Sequence, residues 1–284
     1  MEETLQDKGK RLQKARDYRI DVDKYILVHV DGRSFSKNIK NKFKKPFDSD
    51  FINMMNETAV YLCENVQAAK IAYVQSDEIT LLLKKDTPED DIFFGGRLCK
   101  MQSVIASLAT AKFNQLMTIY NIKKNANCFL SELEKLRYGV SIYNVEDVVK
   151  FVESAPLYQF DCKVWDVDTA NDAFAWFLFR NIDCIRNSKQ QTAQAWCDHK
   201  ELLGLQTDEQ IALLNEKHGI YWYTFDDREK FGRIVSKDVV KATRVMPDGV
   251  EVEYERSVWV PKPGVNLTDP DSRKAFIEKY NFFK

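Results

Sequence analysis

Polar and apolar positions fall into two periods along the first 120 residues. Residues 26 to 31, Ile-Leu-Val-His-Val-Asp, form an apolar run of strand length that stops at Gly32. A lysine-rich stretch follows and closes on Lys45-Pro46. The period then changes: Phe51, Met55, Ala59 and Leu62 recur at helical spacing, and Asp48 or Ser49 supplies an N-cap. Residues 71 to 83 return to strand-forming sequence around a polar turn at Ser76-Asp77-Glu78, so the opening reads strand, helix, hairpin. A second helix is predicted from Arg97 to about Tyr120, carried by Leu98, Met101, Ile105, Leu108, Phe113 and Leu116.

The second half has a different rhythm. Tyr138 to Tyr143 reads as a strand and Val145 to Phe151 as a short helix; from Asp168 onward helices dominate, at Ala170 to Asn187 and Gln190 to Leu203. Thr207-x-x-Gln210 matches a capping box, and Pro247-Asp248-Gly249 between two β-rich runs predicts a hairpin. The aromatic series Phe174, Trp176, Phe177 and Phe179 occupies nearly every face of its helix, the pattern of a helix buried or packed on a partner subunit. No repeat and no low-complexity linker interrupts the chain. The expected class is α+β: residues 1–150 as one region, with 151–284 as a helical and hairpin extension integrated into the same compact unit.

Against this background three carboxylates stand out. Asp31, Asp77 and Glu78 lie inside apolar strand sequence, although carboxylates are poor strand formers and costly to bury. Each motif alone also reads as an ordinary turn, Asp-Gly ending a strand and Ser-Asp-Glu bending a hairpin. Together they suggest a site that needs charge. If the two strands pair, Asp31 and Asp77 come within reach of shared divalent ions, and magnesium accepts such oxygen donors while keeping waters or phosphates in its other positions. Gly32 lets the backbone turn so that the N–H groups of Arg33, Ser34 and Phe35 can face phosphate oxygens. Lys45, Arg97 and Lys100 are the candidate triphosphate cations, the last two one helical turn apart.

Composition narrows the setting. With 284 residues, 44% of them hydrophobic, the chain can fill a core. The net charge of −1 with 30% charged residues leaves any nucleic acid to a local basic patch, for which Lys37, Lys40, Lys42, Lys44 and Lys45 are available, as they are for a solvated loop. Six scattered cysteines show no zinc spacing and no disulfide framework. No apolar run is long enough for a membrane span and no secretion signal is evident, so a cytoplasmic location is expected. His29 reads as a phosphate contact or a satisfied half-buried histidine; His199 and His218 read as structural.

The motif series Val30-Asp31-Gly32-Arg33-Ser34-Phe35, Lys45-Pro46 with Asp48, and Ala72-Tyr73-Val74-Gln75-Ser76-Asp77-Glu78 resembles, in order and spacing, the tRNA(His) guanylyltransferase superfamily. Arg97-x-x-Lys100 and Asp183-Cys184-Ile185-Arg186-Asn187 fall where that family carries a basic helix face and a further nucleotide-contacting segment. The resemblance, from about residue 5 to about residue 235, implies a polymerase-like palm, an antiparallel sheet with helices on one face. It implies a magnesium-dependent nucleotidyltransferase that extends tRNA at its 5′ end in the 3′ to 5′ direction, using ATP and GTP or other nucleoside triphosphates. By the same resemblance Asp31, the Gly32 carbonyl and Asp77 bind two Mg²⁺ ions, Asp31 and Asp77 being catalytic; Glu78, the third catalytic candidate, reads either as orienting a metal-bound water or as the start of the second hairpin strand. Arg33, Ser34, Phe35, Lys45, Ser76, Arg97, Lys100 and Asn187 contact the triphosphate, and the assembly is a homotetramer or homodimer. Two departures matter. Where enzymes dedicated to tRNA(His) carry His-Ile-Asn, this chain reads Ile185-Arg186-Asn187-Ser188-Lys189-Gln190-Gln191, and Ser36 replaces a His that commonly follows the Gly-Arg-x-Phe turn. The form is similar to the "Thg1-like" branch, which implies template-dependent repair of truncated tRNA over addition of a single 5′ G. A nucleotide cyclase on a related palm and a catalytically silent tRNA-binding palm are the alternatives.

Overall fold

The computed structural model describes residues 3–14, 17–39, 42–136, 153–246 and 251–283, with only the backbone course given at 13 and 125–136. The strand expected at 138–143, the short helix at 145–151 and the Pro247-Asp248-Gly249 turn lie outside the described residues. A six-stranded antiparallel sheet organises the rest. Its strands are β1 (Tyr25–Gly32), β2 (Ala69–Gln75), β3 (Glu78–Leu83), β4 (Phe160–Val167), β5 (Arg233–Val245) and β6 (Glu251–Pro263), in spatial order β4-β1-β3-β2-β5-β6. Strands from the second half thus complete the sheet begun by the first.

Alternation along the strands sends side chains to two cores. After the short helices α1 (Leu5–Lys14) and α2 (Phe35–Asn38) come α3 (Ser49–Asn65) and α4 (Leu98–Leu136). Val28, Val30, Val74, Leu81 and Val235 face α3 and α4, where Met55, Leu62, Met101 and Phe113 fill the space. Leu27, Tyr73, Leu82 and Ile234 face the long helix Ala170–Trp196 and the C-terminal helix Pro270–Lys279. Helices of the first half therefore cover one face, as expected, and those of the second half cover the other. Phe174 and Phe177 pack on Phe283 in this second core, Trp176 stacks edge-on to Trp165, and Phe179 is exposed.

Several element boundaries differ from the reading of the sequence, among them the helix expected at Gln190 to Leu203, which ends at Trp196 and is followed by a separate short helix, His199–Leu202. The second helix begins at Leu98 and continues to Leu136 rather than ending near Tyr120, since no Gly or Pro interrupts it. The break expected after Asn187 is absent: Ser188 Oγ donates to the Ile185 carbonyl and Thr192 Oγ1 to that of Ser188, so these polar side chains settle inside one helix. The capping box lies one residue earlier than expected, on Gln206 and Glu209. Asp48, by contrast, caps α3 as anticipated, accepting from the N–H groups of Asp50 and Phe51. Among the described residues no helix is long and apolar enough to cross a membrane.

Candidate active site

One end of the sheet gathers the conspicuous residues. Asp31 stands opposite Glu78 on β3 and opposite Asp161 on β4, so three carboxylate-bearing positions line up across neighbouring strands. The Gly32 N–H donates to the Asp77 carbonyl at 3.1 Å, tying the end of β1 to the Ser76-Asp77 turn. That turn is tight, with Ser76 at φ 42, and its hydroxyl donates to Asp77 Oδ1 at 2.8 Å.

Gly32 is required for a reason other than the one its sequence suggested. It stays extended within β1, and the sharp turn falls to Ser34 at φ 57. A Cβ at Gly32 would lie 2.5 Å from the ring of Phe35. Phe35 turns back under the strand end into a cage of Phe51, Phe113, Tyr158 and Phe160, with ring centroids 5.0–6.4 Å away. The glycine thus lets an aromatic anchor fix the loop that begins at Ser34.

The electrostatics separate the carboxylates. Burial, with the charges of Asp77, Glu78 and Asp161 adding to it, raises the Asp31 pKa to about 6. Burial likewise pushes the Asp77 carboxyl above its ordinary value, against the opposing hydrogen bond from Ser76. Glu78 is differently placed. Its Oε2 accepts from Arg180 Nη2 at 2.6 Å and from Gln75 Nε2 at 2.7 Å. His29 is buried, shares a hydrogen bond of 3.2 Å with Thr80 and sits edge-on to Trp176, which makes it a satisfied internal histidine.

A cavity of about 550 Å³ opens beside these groups. Of the residues singled out in the sequence, Asp31, Gly32, Ser34, Phe35, Lys45, Ser76, Asp77, Glu78 and Asn187 line it. Three others do not. The Arg33 side chain reaches away to Gln159 and its N–H, expected to face phosphate, donates instead to the Gln159 carbonyl at 2.8 Å, leaving that role to Ser34 and Phe35. Arg97 pairs with Asp17 at 3.0 Å, and the Lys100 ammonium lies over the Phe94 ring at 4.6 Å. Arg97 and Lys100 lie outside the cavity wall; the segment before β1 docks on Arg97 through the Arg19–Arg97 bridge and the Asp17 ion pair.

The wall also contains Gln75 and Gln191, which the sequence reading named only as members of motifs, and Arg228 and Arg233, which it passed over. Arg233 had a signal. It is a charge inside Phe231-Gly232-Arg233-Ile234-Val235, the same anomaly that marked Asp31. Two buried atoms of this set, Gln75 Oε1 and Arg233 Nη2, have no hydrogen-bond partner.

The donor chemistry fits a hard divalent cation. Asp31 and Asp77 are crowded carboxylates whose protonation burial and mutual repulsion favour, a condition that a cation relieves. Among the described residues no group of three or more His, Cys, Asp or Glu side chains surrounds a single point. A cation here would therefore complete its coordination with backbone, water or phosphate oxygens, as magnesium does.

An antiparallel sheet ending in clustered carboxylates beside a nucleotide-sized cavity is the architecture of a nucleotidyltransferase palm, and comparison with known proteins agrees. The family model for tRNAHis guanylyltransferase matches residues 8–167, more than half of the chain, and the chain belongs to this family of nucleotidyltransferases. A bacterial tRNA(His) guanylyltransferase-like protein solved in complex with ATP superposes with a TM-score of 0.74 at 25% identity, covering 99% of both chains. The corresponding GTP complex gives 0.69 at 23% identity, over 97% of this chain and 98% of that one. An uncharacterized protein of Acanthamoeba polyphaga mimivirus is 27% identical over 252 residues, spanning 86% of this chain and 80% of its own length.

Proposed function

We propose that this chain extends the 5′ end of tRNA in the 3′ to 5′ direction, and that it repairs 5′-truncated tRNA under the direction of a template. The observation that carries the proposal is the convergence of Asp31 and Asp77, from two motifs far apart in sequence, on one cavity with both carboxyls shifted upward. The similarity to proteins solved with ATP and GTP supports a nucleoside triphosphate as the occupant.

In the proposed reaction a 5′-phosphate oxygen of the tRNA bonds to the α-phosphorus of ATP or GTP and pyrophosphate leaves. The 3′-hydroxyl of an incoming nucleotide then bonds to the activated 5′ phosphorus, its proton passes to solvent, and the nucleoside monophosphate leaves. Asp31, Asp77 and the Gly32 carbonyl would hold Mg²⁺, which when bound lowers the pKa of an attacking hydroxyl and neutralises the pyrophosphate. The chain's own groups do the positioning. Phe35, caged by four aromatic rings, fixes the Ser34 turn whose N–H groups meet phosphate oxygens. Lys45 adds a positive charge on the same wall. Glu78, already held by Arg180 and Gln75, keeps its side chain fixed next to Asp31.

Preference for repair rests on the segment at 185–191. Asn187, Ser188 and Gln191 border the cavity, so the residues that depart from the tRNA(His)-dedicated pattern sit where they can affect the RNA end. The test is to incubate the protein with Mg²⁺, nucleoside triphosphates and 5′-monophosphorylated tRNAs lacking one or more 5′ nucleotides, then sequence the product ends. Templated extension is expected. A single G placed opposite a non-pairing position would assign the tRNA(His) role instead, and cyclic products made without RNA would remove the polymerase reading.

A further inference from the structure

Arg233 opens β5 and faces α3, because it alternates with Val235 of the first core rather than with Ile234 of the second. It is 4% exposed, yet it forms part of the cavity wall. Its Nε donates to Asn56 Oδ1 at 3.0 Å, which fixes the plane of the guanidinium. No acceptor meets Nη1 or Nη2 among the described residues, and Nη2 is buried. No carboxylate compensates the charge: Glu229, on the same wall, accepts from the Asp226 N–H, and Arg228 is paired with Asp226. Burial lowers the Arg233 pKa to about 10, which leaves it protonated at neutral pH. A buried, oriented and uncompensated guanidinium is costly in an empty protein.

The surroundings indicate what relieves it. Asn56 lies one turn beyond Ile52 on α3, and Ile52, Phe51, Phe47 and Phe43 give this side of the cavity an apolar, aromatic wall. Such a wall suits a flat ring and penalises a strongly hydrated phosphate, which has carboxylate-held cations and the Ser34 turn available elsewhere in the cavity. Guanine offers two adjacent acceptors, O6 and N7, to a guanidinium fork. Adenine sets the N6 donor beside N7 and repels it.

Resting on the nucleotide-binding reading above, we propose that Arg233 is a specificity-determining residue that reads the O6/N7 edge of a guanine base and so favours GTP over ATP in this cavity.

The test is equilibrium binding of GTP, ATP, ITP and 7-deaza-GTP, without RNA, to the wild type, Arg233→Met and Arg233→Lys, with thermal melting alongside. Wild type should hold GTP and ITP more tightly than ATP and 7-deaza-GTP. Both variants should lose roughly tenfold or more for GTP and ITP while ATP stays within about twofold. Arg233→Met should melt no lower than wild type; if it fails to fold, Arg233→Lys, which keeps the charge and loses the fork, gives the same nucleotide pattern. An equal loss for GTP and ATP would make Arg233 a phosphate contact, and no loss for either would make it structural; each overturns the proposal while leaving the nucleotidyltransferase reading intact. Failure of wild type to bind any of the four nucleotides would overturn both.

Discussion

Two buried arginines at the same end of the sheet have opposite surroundings. Arg180, on the long helix, donates through Nη2 to Glu78 at 2.6 Å and to Asp183 at 2.8 Å, and lies over the Phe179 ring at 5.0 Å. Among the described residues Arg233 has one neutral hydrogen-bond partner, Asn56, and no counter-charge. The contrast separates two uses of buried charge. The first has two carboxylate partners and holds Glu78 in place, although its Nε has no partner among the described residues; the second lines the cavity without a counter-charge among them, at a cost to the empty protein that a ligand can offset.

Breaking the paired set should have the larger consequence. Arg180→Ala leaves the half-buried Glu78 without its guanidinium partner, while Asp183 keeps Arg186, and about 3 kcal/mol of stability should be lost, read as a lower urea midpoint. If Arg180→Ala melts as wild type does, the distinction between the two arginines fails. Gly32→Ala tests the scaffold between them. Its methyl meets the Phe35 ring, so a loss of about 1–3 kcal/mol is expected. Combining it with Phe35→Leu, which removes the obstructing ring, should recover part of that loss.

The smallest effect is on pH. Unfolded, Asp31 releases its proton near 3.8; folded, near 6. Between those values the folded state binds more protons, so this group's contribution to stability declines as pH rises through that window. The melting temperature of metal-free protein should carry this decline from about pH 4 to about pH 6. Added Mg²⁺ should raise it more at pH 7 than at pH 5, because the cation competes with the proton. Equal Mg²⁺ effects at both pH values would detach Asp31 from the metal.

What the sequence made legible follows from period and anomaly. Alternation and helical spacing located β1, α3 and the β2–β3 hairpin, and carboxylates in apolar runs marked Asp31, Asp77 and Glu78, which do meet. Side-chain satisfaction is not written in spacing. Nothing in the sequence distinguishes Glu78, held by Arg180 and Gln75, from Asp31, held by no cation. The expected gap between Asn187 and Gln190 is closed, because the Ser188 hydroxyl at the gap and that of Thr192 one turn on both donate to helix carbonyls. Arg97 and Lys100 share a neighbourhood, but the course of residues 17–20 decides that it lies outside the cavity. Arg233 carried the same anomaly as Asp31 and lacked only a motif around it.

The most direct measurement is nucleotide addition to 5′-truncated, 5′-monophosphorylated tRNA by Asp77→Asn, which keeps the shape and the Ser76 hydrogen bond but removes the charge. Metal stabilisation of the reacting phosphates is worth several kcal/mol, so addition should fall by about a thousandfold or more while tRNA binding and melting temperature are retained. Addition at the wild-type rate would contradict the assignment of this carboxylate cluster as the catalytic centre.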